Sequence, residues 1–589
     1  MSEFNLIDEK WIPCVMSSAS DGSFGTTPEY LSLQNTLLKA QEIKEIVGEN
    51  PLITISLYRL LLALLHDIFQ GPKDVDEWGN LWKNESLDEK SIKDYFDENY
   101  DNFYLFHNEK PFYQAADFSH NAKEKPTWKF FLEGEKYATV FAHTHKENPL
   151  ELKFSNAARY LVAFQNFDVG GFKDLVEEGL SKTEVNQVKS ADSCLLNKCA
   201  VGLVKGKNLF QTLMLNLTQY NRVFGIPFPK NEIENDPPAW KNDESIDPKN
   251  DSVPSGYIGL LTWQSRQIKL KPDPKNKIVD LFAVIKGNQL SDISDLHGKE
   301  QMVAFRKDES RGWLPLFFQK DRALWRDSYS LFQSTDGAST RPEILNWLND
   351  LVANAKLAKD EVFPLDFFGL CSDRAKPLFW RHERLPMPLR YLSDFELCNE
   401  LREALKFAES TAFLLNDGIY RTSTLFYLPE SLFDSKAEKW FRPFCSEETR
   451  KSFEEYKKGK TVKDKFKVSK GKPVGEIPLL VKTLAPELRY WSRLENPFRT
   501  HLLQLAKGKS VWKSQRENWA IEVLEHTLFL AFSEAVQNLG NSPDALRAVS
   551  ISQSWLKIEF NQRKKKFLNF EVIDNDEQNT NEDEEEETE

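Results

Sequence analysis

Two histidine-containing pairs are the first candidates for chemistry in this chain. His66 and Asp67 are adjacent, a pair that metal-dependent nucleases use, and His143 and His145 would place two imidazoles on one face of a strand. Either site needs further ligands to hold a metal ion and activate water. The other histidines offer no partner at a suitable spacing. The sequence therefore favours a structural role at a helix end for His66-Asp67 and a surface loop for His143-Thr-His145, and a metal nuclease centred on His66-Asp67 remains the alternative.

Two further motifs do not complete a catalytic or metal site. Gly508-Lys509-Ser510 ends like a phosphate-binding loop, but Leu503 stands where the first glycine of that motif belongs. Cys194 and Cys199 have no second Cys or His pair nearby, which argues against structural zinc. We therefore predict no catalytic residue, no metal site, no cofactor and no enzymatic activity.

Two basic segments could contact nucleic acid. Nine lysines occur from Lys451 to Lys472, both included, and Arg563-Lys-Lys-Lys566 closes a helical pattern. Each phosphate contact would add salt-sensitive affinity. The first segment is equally well interpreted as a solvated linker, and the second would also suit the negative end of a helix. Both interpretations stay open for both segments.

The charge of the chain is unevenly distributed. The net charge is −13, but residues 574–589 contain ten acids and no base, so the remainder carries only −3. A nearly neutral body can bind nucleic acid only through local basic patches. The start has no signal-peptide form, and the apolar run 52–69 is interrupted by Arg59, His66 and Asp67, which favours a buried helix over a membrane span. We expect a cytoplasmic protein without membrane contact.

The elements that must position these residues change in character along the chain. We predict an α+β fold: a large mixed N-terminal domain (1–390), a C-terminal domain resembling a four-helix bundle (391–570) and an acidic disordered tail (571–589). Apolar periodicity and composition predict helices at 51–70, 151–166, 209–221, 394–416, 430–458, 484–507, 512–539 and 543–564, and strands at 257–263, 278–286, 302–306 and 313–318. Residues 228–254 are predicted to be a long surface loop.

Several stretches of distinctive sequence occur in one order. They are 4–13 (FNLIDEKWIP), 103–114 (FYLFHNEKPFYQ), 206–217 (GKNLFQTLMLNL), 236–240 (DPPAW), 256–270 (GYIGLLTWQSRQIKL), 322–327 (RALWRD) and 381–386 (RHERLP). Together they resemble the large subunit of the type I-E CRISPR Cascade complex. The tryptophans in them, Trp11, Trp240 and Trp263, are expected to pack in the core rather than to contact a ligand.

The resemblance implies a non-catalytic, DNA-reading subunit. Members of that family lie beside the 5′ handle of the crRNA, recognise a short protospacer-adjacent motif (PAM) in double-stranded target DNA and wedge the strands apart so that an R-loop can start. They also recruit the helicase–nuclease. The expected partners are crRNA, target DNA, and the backbone, handle-binding and small subunits. A pure assembly scaffold is the other alternative.

The resemblance also suggests which residues meet DNA. The PAM and wedge hairpin corresponds to 369–376, where Asp373 and Arg374 replace an amide pair of other members. A guanidinium can enter a narrow minor groove or stack in an opened base step, so Arg374 is the expected wedge. Ser372 and Asp373 are expected to contact a guanine amino group.

Other positions implied by the resemblance are less sharply defined. A glycine loop at the minor groove corresponds to Gly170 and Gly171, where absent side chains allow close approach. A minor-groove lysine corresponds to Lys275, Lys277 or Lys286. The loop facing the crRNA handle corresponds to 141–149, with Phe141 as its aromatic anchor and His143 and His145 within it.

Overall fold

The structure is a computed structural model that describes residues 4–17, 27–118, 122–130, 152–173, 181–220, 235–242, 246–333, 337–373, 376–427, 468–469, 472–473 and 476–570. The chain divides into two compact units, Met1–Ser393 and Asp394–Glu589. The first mixes helices with short antiparallel strands, and the second is mainly helical where it is described. The predicted α+β class is confirmed. The predicted acidic tail lies outside the described residues.

The strands of the first unit form several small antiparallel sheets. They are β1 (Ile12–Met16), β2 (Glu29–Leu31), β3 (Ile43–Ile46), β4 (Lys125–Pro126), β5 (Leu152–Lys153), β6 (Gly171–Phe172), β7 (Ser190–Ala191), β8 (Val201–Val204), β9 (Arg266–Asp273), β10 (Ile278–Lys286), β11 (Phe305–Asp308), β12 (Gly312–Pro315), β13 (Ser339–Thr340), β14 (Val362–Asp373) and β15 (Lys376–Pro388). The strand orders are β2-β1-β3, β12-β11-β13, β15-β14-β8 and β6-β7, and β10 pairs with β4, β5 and β9.

The first unit contains one long apolar helix and several shorter ones. They are α1 (Leu33–Leu38), α2 (Pro51–Phe69), α3 (Val75–Lys83), α4 (Glu89–Glu98), α5 (Phe154–Phe167), α6 (Lys182–Lys189), α7 (Leu209–Asn216), α8 (Tyr257–Leu261), α9 (Ser328–Phe332) and α10 (Glu343–Ala353). Short 3-10 turns complete the unit.

Helix α2 forms the centre of the first unit. Asn50 caps it, its side chain accepting a bond from the Ile53 N–H at 2.9 Å, and Pro51 occupies the first helical position, where its missing N–H costs nothing. Within the described residues α2 alone is long and apolar enough to cross a membrane, and 89% of its apolar window is buried inside the fold. That burial agrees with the core helix predicted from the sequence.

The stretches that carry the family resemblance contact one another. The Leu6 N–H bonds to the Phe103 carbonyl (3.0 Å), and Gln114 accepts from the Leu270 N–H (2.8 Å). Later in the sequence of the unit, the Leu324 N–H donates to the Glu383 carboxylate (2.7 Å). Trp11, Trp240 and Trp263 are buried, as expected. These sequence signatures therefore define the scaffold of the unit.

The prediction of a strand at 257–263 is wrong. Residues Tyr257–Leu261 form the short helix α8, and the strand begins only at Arg266. The Asp236 carboxylate accepts bonds from the Ile258 N–H (2.7 Å) and the Gly259 N–H (3.0 Å), which satisfies the first turn of the helix. A tertiary contact thus overrides the local strand preference of these residues.

Other predicted elements are present with shifted bounds. The helix predicted at 209–221 ends at Asn216, and the strands predicted at 302–306 and 313–318 are Phe305–Asp308 and Gly312–Pro315. The strand predicted at 278–286 has the predicted bounds. Part of the predicted loop 228–254 lies outside the described residues.

The second unit packs long helices against each other. They are α11 (Phe395–Tyr427), α12 (Glu476–Leu484), α13 (Pro486–Leu505), α14 (Lys509–Asn518), which continues through a π-helical segment (Trp519–Glu525) into α15 (His526–Val536), and α16 (Pro543–Leu568). Two short strands, β16 (Val468–Ser469) and β17 (Lys472–Pro473), precede α12. Buried Trp519 donates to the Ala404 carbonyl (3.1 Å), and Phe407 stacks on Phe567 (4.6 Å between ring centroids). The predicted helix 430–458 lies outside the described residues.

Candidate nucleic-acid interface

A long hairpin lies where the sequence places the PAM and wedge residues. Strands β14 and β15 pair along their whole length, from Val362↔Pro388 to Asp373↔Lys376. On its other edge, β14 pairs with β8 only between residues 365 and 368, so the end of the hairpin extends beyond its neighbouring strand. The tip residues 374 and 375, and with them Arg374, lie outside the described residues.

The base of this hairpin is firmly anchored. Buried Asp366 on β14 accepts two bonds from Arg384 (2.5 and 2.8 Å) and lies 3.1 Å from His382 Nε2. Burial opposes ionisation, but the bonds from Arg384 and His382 lower the pKa of Asp366 overall. The His382 ring also stacks on Phe368 at 4.5 Å. Because its base is fixed by these contacts, the hairpin can keep its orientation when its end contacts a binding partner.

The glycine loop predicted at 170–171 needs glycine for two different reasons. A Cβ at Gly170 would lie 3.0 Å from the Ser193 nitrogen and 3.1 Å from the Ala191 oxygen, so a larger residue would be crowded and the neighbouring backbone would have to shift by a few tenths of an ångström. Gly171 has a φ of +125°, which L-residues rarely adopt, although a Cβ there would meet nothing within 4 Å. The loop is thus packed on one side and open on the other.

A cluster of buried charged side chains fixes the backbone on both sides of the glycine loop. The Asp168 carboxylate accepts bonds from Lys173 Nζ and from Arg266 Nε, both at 2.6 Å. Arg266 also donates to the Asp192 carbonyl (2.6 Å), and Lys173 donates to the Val169 carbonyl (3.1 Å). Burial would raise the pKa of Asp168, but the two cations beside it lower that pKa overall. Burial lowers the pKa of Lys173.

One short segment connects the glycine loop to the hairpin. Ser193 accepts a bond from the Gly170 N–H (3.2 Å), and four residues later Asn197 Oδ1 lies 3.3 Å from the Ser372 hydroxyl on β14. Lys198, next to Asn197, is exposed. An open cleft of about 560 Å³ lies beside the glycines, lined also by Lys198 and by residues 190–195 and 288–293. The structure thus links Ser372 to Gly170 through residues 193–197, and Lys198 lines the cleft beside the glycines.

The three lysines suggested for the minor groove do not lie together. Lys286 ends β10, pairs with Arg266 and so lies at the glycine-loop end of the β9–β10 hairpin. Lys275 and Lys277 lie in the turn at the opposite end, where Asp273 accepts a bond from the Lys275 N–H (3.0 Å). Nine residues of strand separate the two ends by about 30 Å. Geometry therefore favours Lys286 as a companion of the glycine loop.

Other predicted contact residues cannot be placed in this site. Phe141, His143 and His145, assigned to the crRNA-handle loop, lie outside the described residues, as does most of the lysine-rich segment 451–472. The side chain of Asp373 is likewise outside them. In the helical unit, Arg563 donates to the Ser410 carbonyl (2.6 Å) and Lys564 pairs with Glu525 (2.7 Å). Two of the four basic residues 563–566 therefore make contacts within the protein.

The His66-Asp67 pair serves the core of the first unit. His66 Nδ1 lies 2.9 Å from the Gly71 carbonyl, and burial lowers the pKa of His66 to about 4. Asp67 accepts a bond from Tyr95 and pairs with Lys241 at 2.7 Å. In the described parts of the chain, no three His, Cys, Asp or Glu residues are grouped to hold a metal ion. The pair therefore gives the nuclease hypothesis no support.

Two candidate residues were missed from the sequence. Lys198 stands alone between Asn197 and Cys199, and Phe172 directly follows the glycines. Neither belongs to a motif, and only the tertiary structure places Lys198 beside Gly170 and Gly171. The adjacency of Phe172 to a predicted contact loop was the one available signal.

Comparison with known proteins identifies the family. A family model described as CRISPR-associated protein Cse1 matches residues 5–529. The CRISPR-associated protein CasA/Cse1 of Thermus thermophilus is 30% identical over 420 residues, which cover 69% of this chain and 76% of that protein.

Solved structures share the fold. The crystal structure of Cse1 from Acidimicrobium ferrooxidans matches with a TM-score of 0.74 at 22% identity, covering 96% of this chain and 99% of that one. A chain of a CRISPR RNA-guided surveillance complex matches with a TM-score of 0.68 at 18% identity, covering 95% and 100%. The resemblance seen in the sequence is confirmed. This chain belongs to the Cse1 family of CRISPR-associated proteins.

Proposed function

We propose that this chain is the subunit of a type I-E Cascade complex that recognises the PAM in double-stranded DNA and starts strand separation beside it. It recruits the helicase–nuclease and breaks no covalent bond itself. Its partners are crRNA, target DNA, and the backbone, handle-binding and small subunits, and it acts in the cytoplasm. Base pairing with the guide reads the remaining sequence, as in other RNA-guided systems.

The observation that carries this proposal is the position of the hairpin end. Its base is fixed by the Asp366–Arg384 pair, its end extends beyond β8, and Ser372 lies one short segment away from Gly170. An anchored protein edge beside a close-approach loop suits a wedge next to a minor groove. Exposed Lys198, which lines the cleft beside the glycines, supplies charge for a phosphate.

Replacing Arg374 by alanine tests the assigned hairpin. We expect the assembled complex with crRNA to lose about tenfold in its preference for a duplex with the correct PAM over one with a scrambled PAM, since one specific contact contributes about 1–3 kcal/mol. Titration of both duplexes at two salt concentrations measures this. Raising salt should weaken both duplexes while changing their ratio less.

The matched control is Arg311→Ala. Arg311 lies in the exposed turn between β11 and β12 and contacts Asp308 (3.3 Å), so it is an arginine in another hairpin turn. Its substitution should leave the preference unchanged. Unchanged preference in Arg374→Ala would remove the hairpin from the mechanism. Equal binding of both duplexes by the unmodified complex would instead favour a pure scaffold.

A further inference from the structure

Phe172 is an unusually exposed aromatic residue at a defined place. Its side chain is 73% exposed, as much as any large apolar side chain in the described parts of the chain. Single exposed apolar residues are common on protein surfaces, so exposure alone assigns no role. The position is more informative, because Phe172 directly follows Gly170 and Gly171.

The backbone that presents Phe172 is held on both sides. In the β6–β7 pair, Gly171 faces Ala191 and Phe172 faces Ser190, and the Lys173 N–H bonds to the Lys189 carbonyl at 2.8 Å. Strand alternation directs Lys173 into the protein and Phe172 outward. The positive φ of Gly171 sets the direction in which the chain enters this pair.

The buried charges beneath the loop add a second constraint. Lys173 and Arg266 both bond to the carboxylate of Asp168, and the negative charge of Asp192 also acts on Arg266. The cluster ties the residue after Phe172 to the residues before the glycines through Asp168 and the Val169 carbonyl. An apolar side chain presented by a fixed backbone is what minor-groove proteins insert between base steps.

We propose that Phe172 is an apolar contact for the minor groove of duplex DNA, where it packs against the base step beside the PAM and partly unstacks it. The Asp168–Lys173–Arg266 cluster is the positioning element for this ring. The inference rests on the proposed function. It adds Phe172, outside the hairpin, as a second residue that opens DNA besides Arg374 on the hairpin. The ring contributes through stacking and surface contact, and therefore independently of salt.

The experiment uses the assembled complex with a crRNA that has no complementarity to the probe. The probe is a duplex with the correct PAM and 2-aminopurine in the adjacent base pair, so that fluorescence reports unstacking before any guide pairing. With the unmodified protein, binding should raise the fluorescence. Phe172→Ala should abolish the rise and weaken duplex binding about tenfold. Its affinity should keep the same slope against salt, because no phosphate contact is lost.

Two further variants sharpen the result. Phe172→Leu keeps an apolar wedge and should retain most of the signal, whereas loss of signal in both variants together with lower unfolding stability would indicate a structural defect and contradict the proposal. Phe413→Ala removes a similarly exposed ring (67%) from helix α11 and should match the unmodified protein. Phe172→Ala that matches it as well would overturn the inference. A complex that does not distinguish correct from scrambled PAM at all would instead refute the proposed function.

Discussion

Replacing Glu300 by glutamine should lower the free energy of unfolding of the first unit by about 3–5 kcal/mol, the range observed when one partner of a buried ion pair is removed. Arg59 on α2 donates two bonds to Glu300, at 2.9 and 3.0 Å, and both side chains are almost wholly inaccessible to solvent. An amide has one acceptor oxygen and no charge. Glutamine would therefore leave a buried guanidinium without its counterion.

The effect should extend to the hairpin sheet. Glu300 also accepts a bond from the Met302 N–H (3.1 Å), and the Met302 carbonyl accepts from Gly202 on β8 at 2.7 Å. Strand β8 in turn pairs with β14. Hydrogen exchange of the α2 and β14 amides, together with chemical unfolding, would show which elements loosen. These measurements would also distinguish a loss of stability in the first unit from one in the helical unit.

An exposed ion pair provides the matched control. Glu89 and Lys93 are paired at one-turn spacing on α4, with side chains 69% and 50% exposed. Glu89→Gln makes the same chemical change in solvent and should alter stability by less than about 0.5 kcal/mol. Equal losses for the two glutamine variants would contradict a special role for the buried pair.

Acidification from pH 7.5 to 4.5 should destabilise both units through two buried histidines. Burial lowers the pKa of His66 to about 4 and that of His501 to about 3, from an ordinary value of 6.5. Below pH 6.5 the unfolded chain binds a proton at each histidine that the folded chain does not accept. Stability should therefore fall as the pH drops from 6.5 towards 4, by about 3 kcal/mol for His66 if the full depression is expressed.

Two non-titrating variants test this assignment. His66→Asn keeps a nitrogen donor for the Gly71 carbonyl, and His501→Phe keeps a ring on Trp519, which His501 contacts at 4.7 Å between centroids. Each variant should flatten the dependence of unfolding free energy on pH in its own unit, measured by denaturant titration at several pH values. A slope identical to that of the unmodified protein would show that other groups cause the acid loss.

Local patterns predicted the elements whose own residues specify them. Helix α2 has a capping Asn50 and Pro51 before an apolar run, and α16 begins after Ser542 with Pro543, so both can be recognised from adjacent residues. Helix α8 was missed because its first turn is satisfied by Asp236, some twenty residues earlier in the chain. The information that decides its conformation is not local.

The site shows the same limit. The resemblance indicated Gly170, Gly171 and Ser372, but it left three lysines open until the β9–β10 pairing separated Lys286 from the others. The buried cluster was out of reach, because Asp168 and Arg266 are separated by 98 positions. Their pairing follows from the packing of α5 against the sheet. No spacing rule connects such residues, whereas the tertiary structure does.

The extension of β14 beyond its pairing with β8 has a consequence for which residues of the hairpin can vary. The pairing of β14 with β8 spans residues 365–368, whereas residues 372 and 373 pair with residues 377 and 376 of β15. Substitutions at residues 372 and 373 therefore leave the backbone pairing between β14 and β8 in place. If the hairpin end contacts the PAM as proposed, relatives can differ in the PAM they accept through a few substitutions there, while the sheet behind it stays the same.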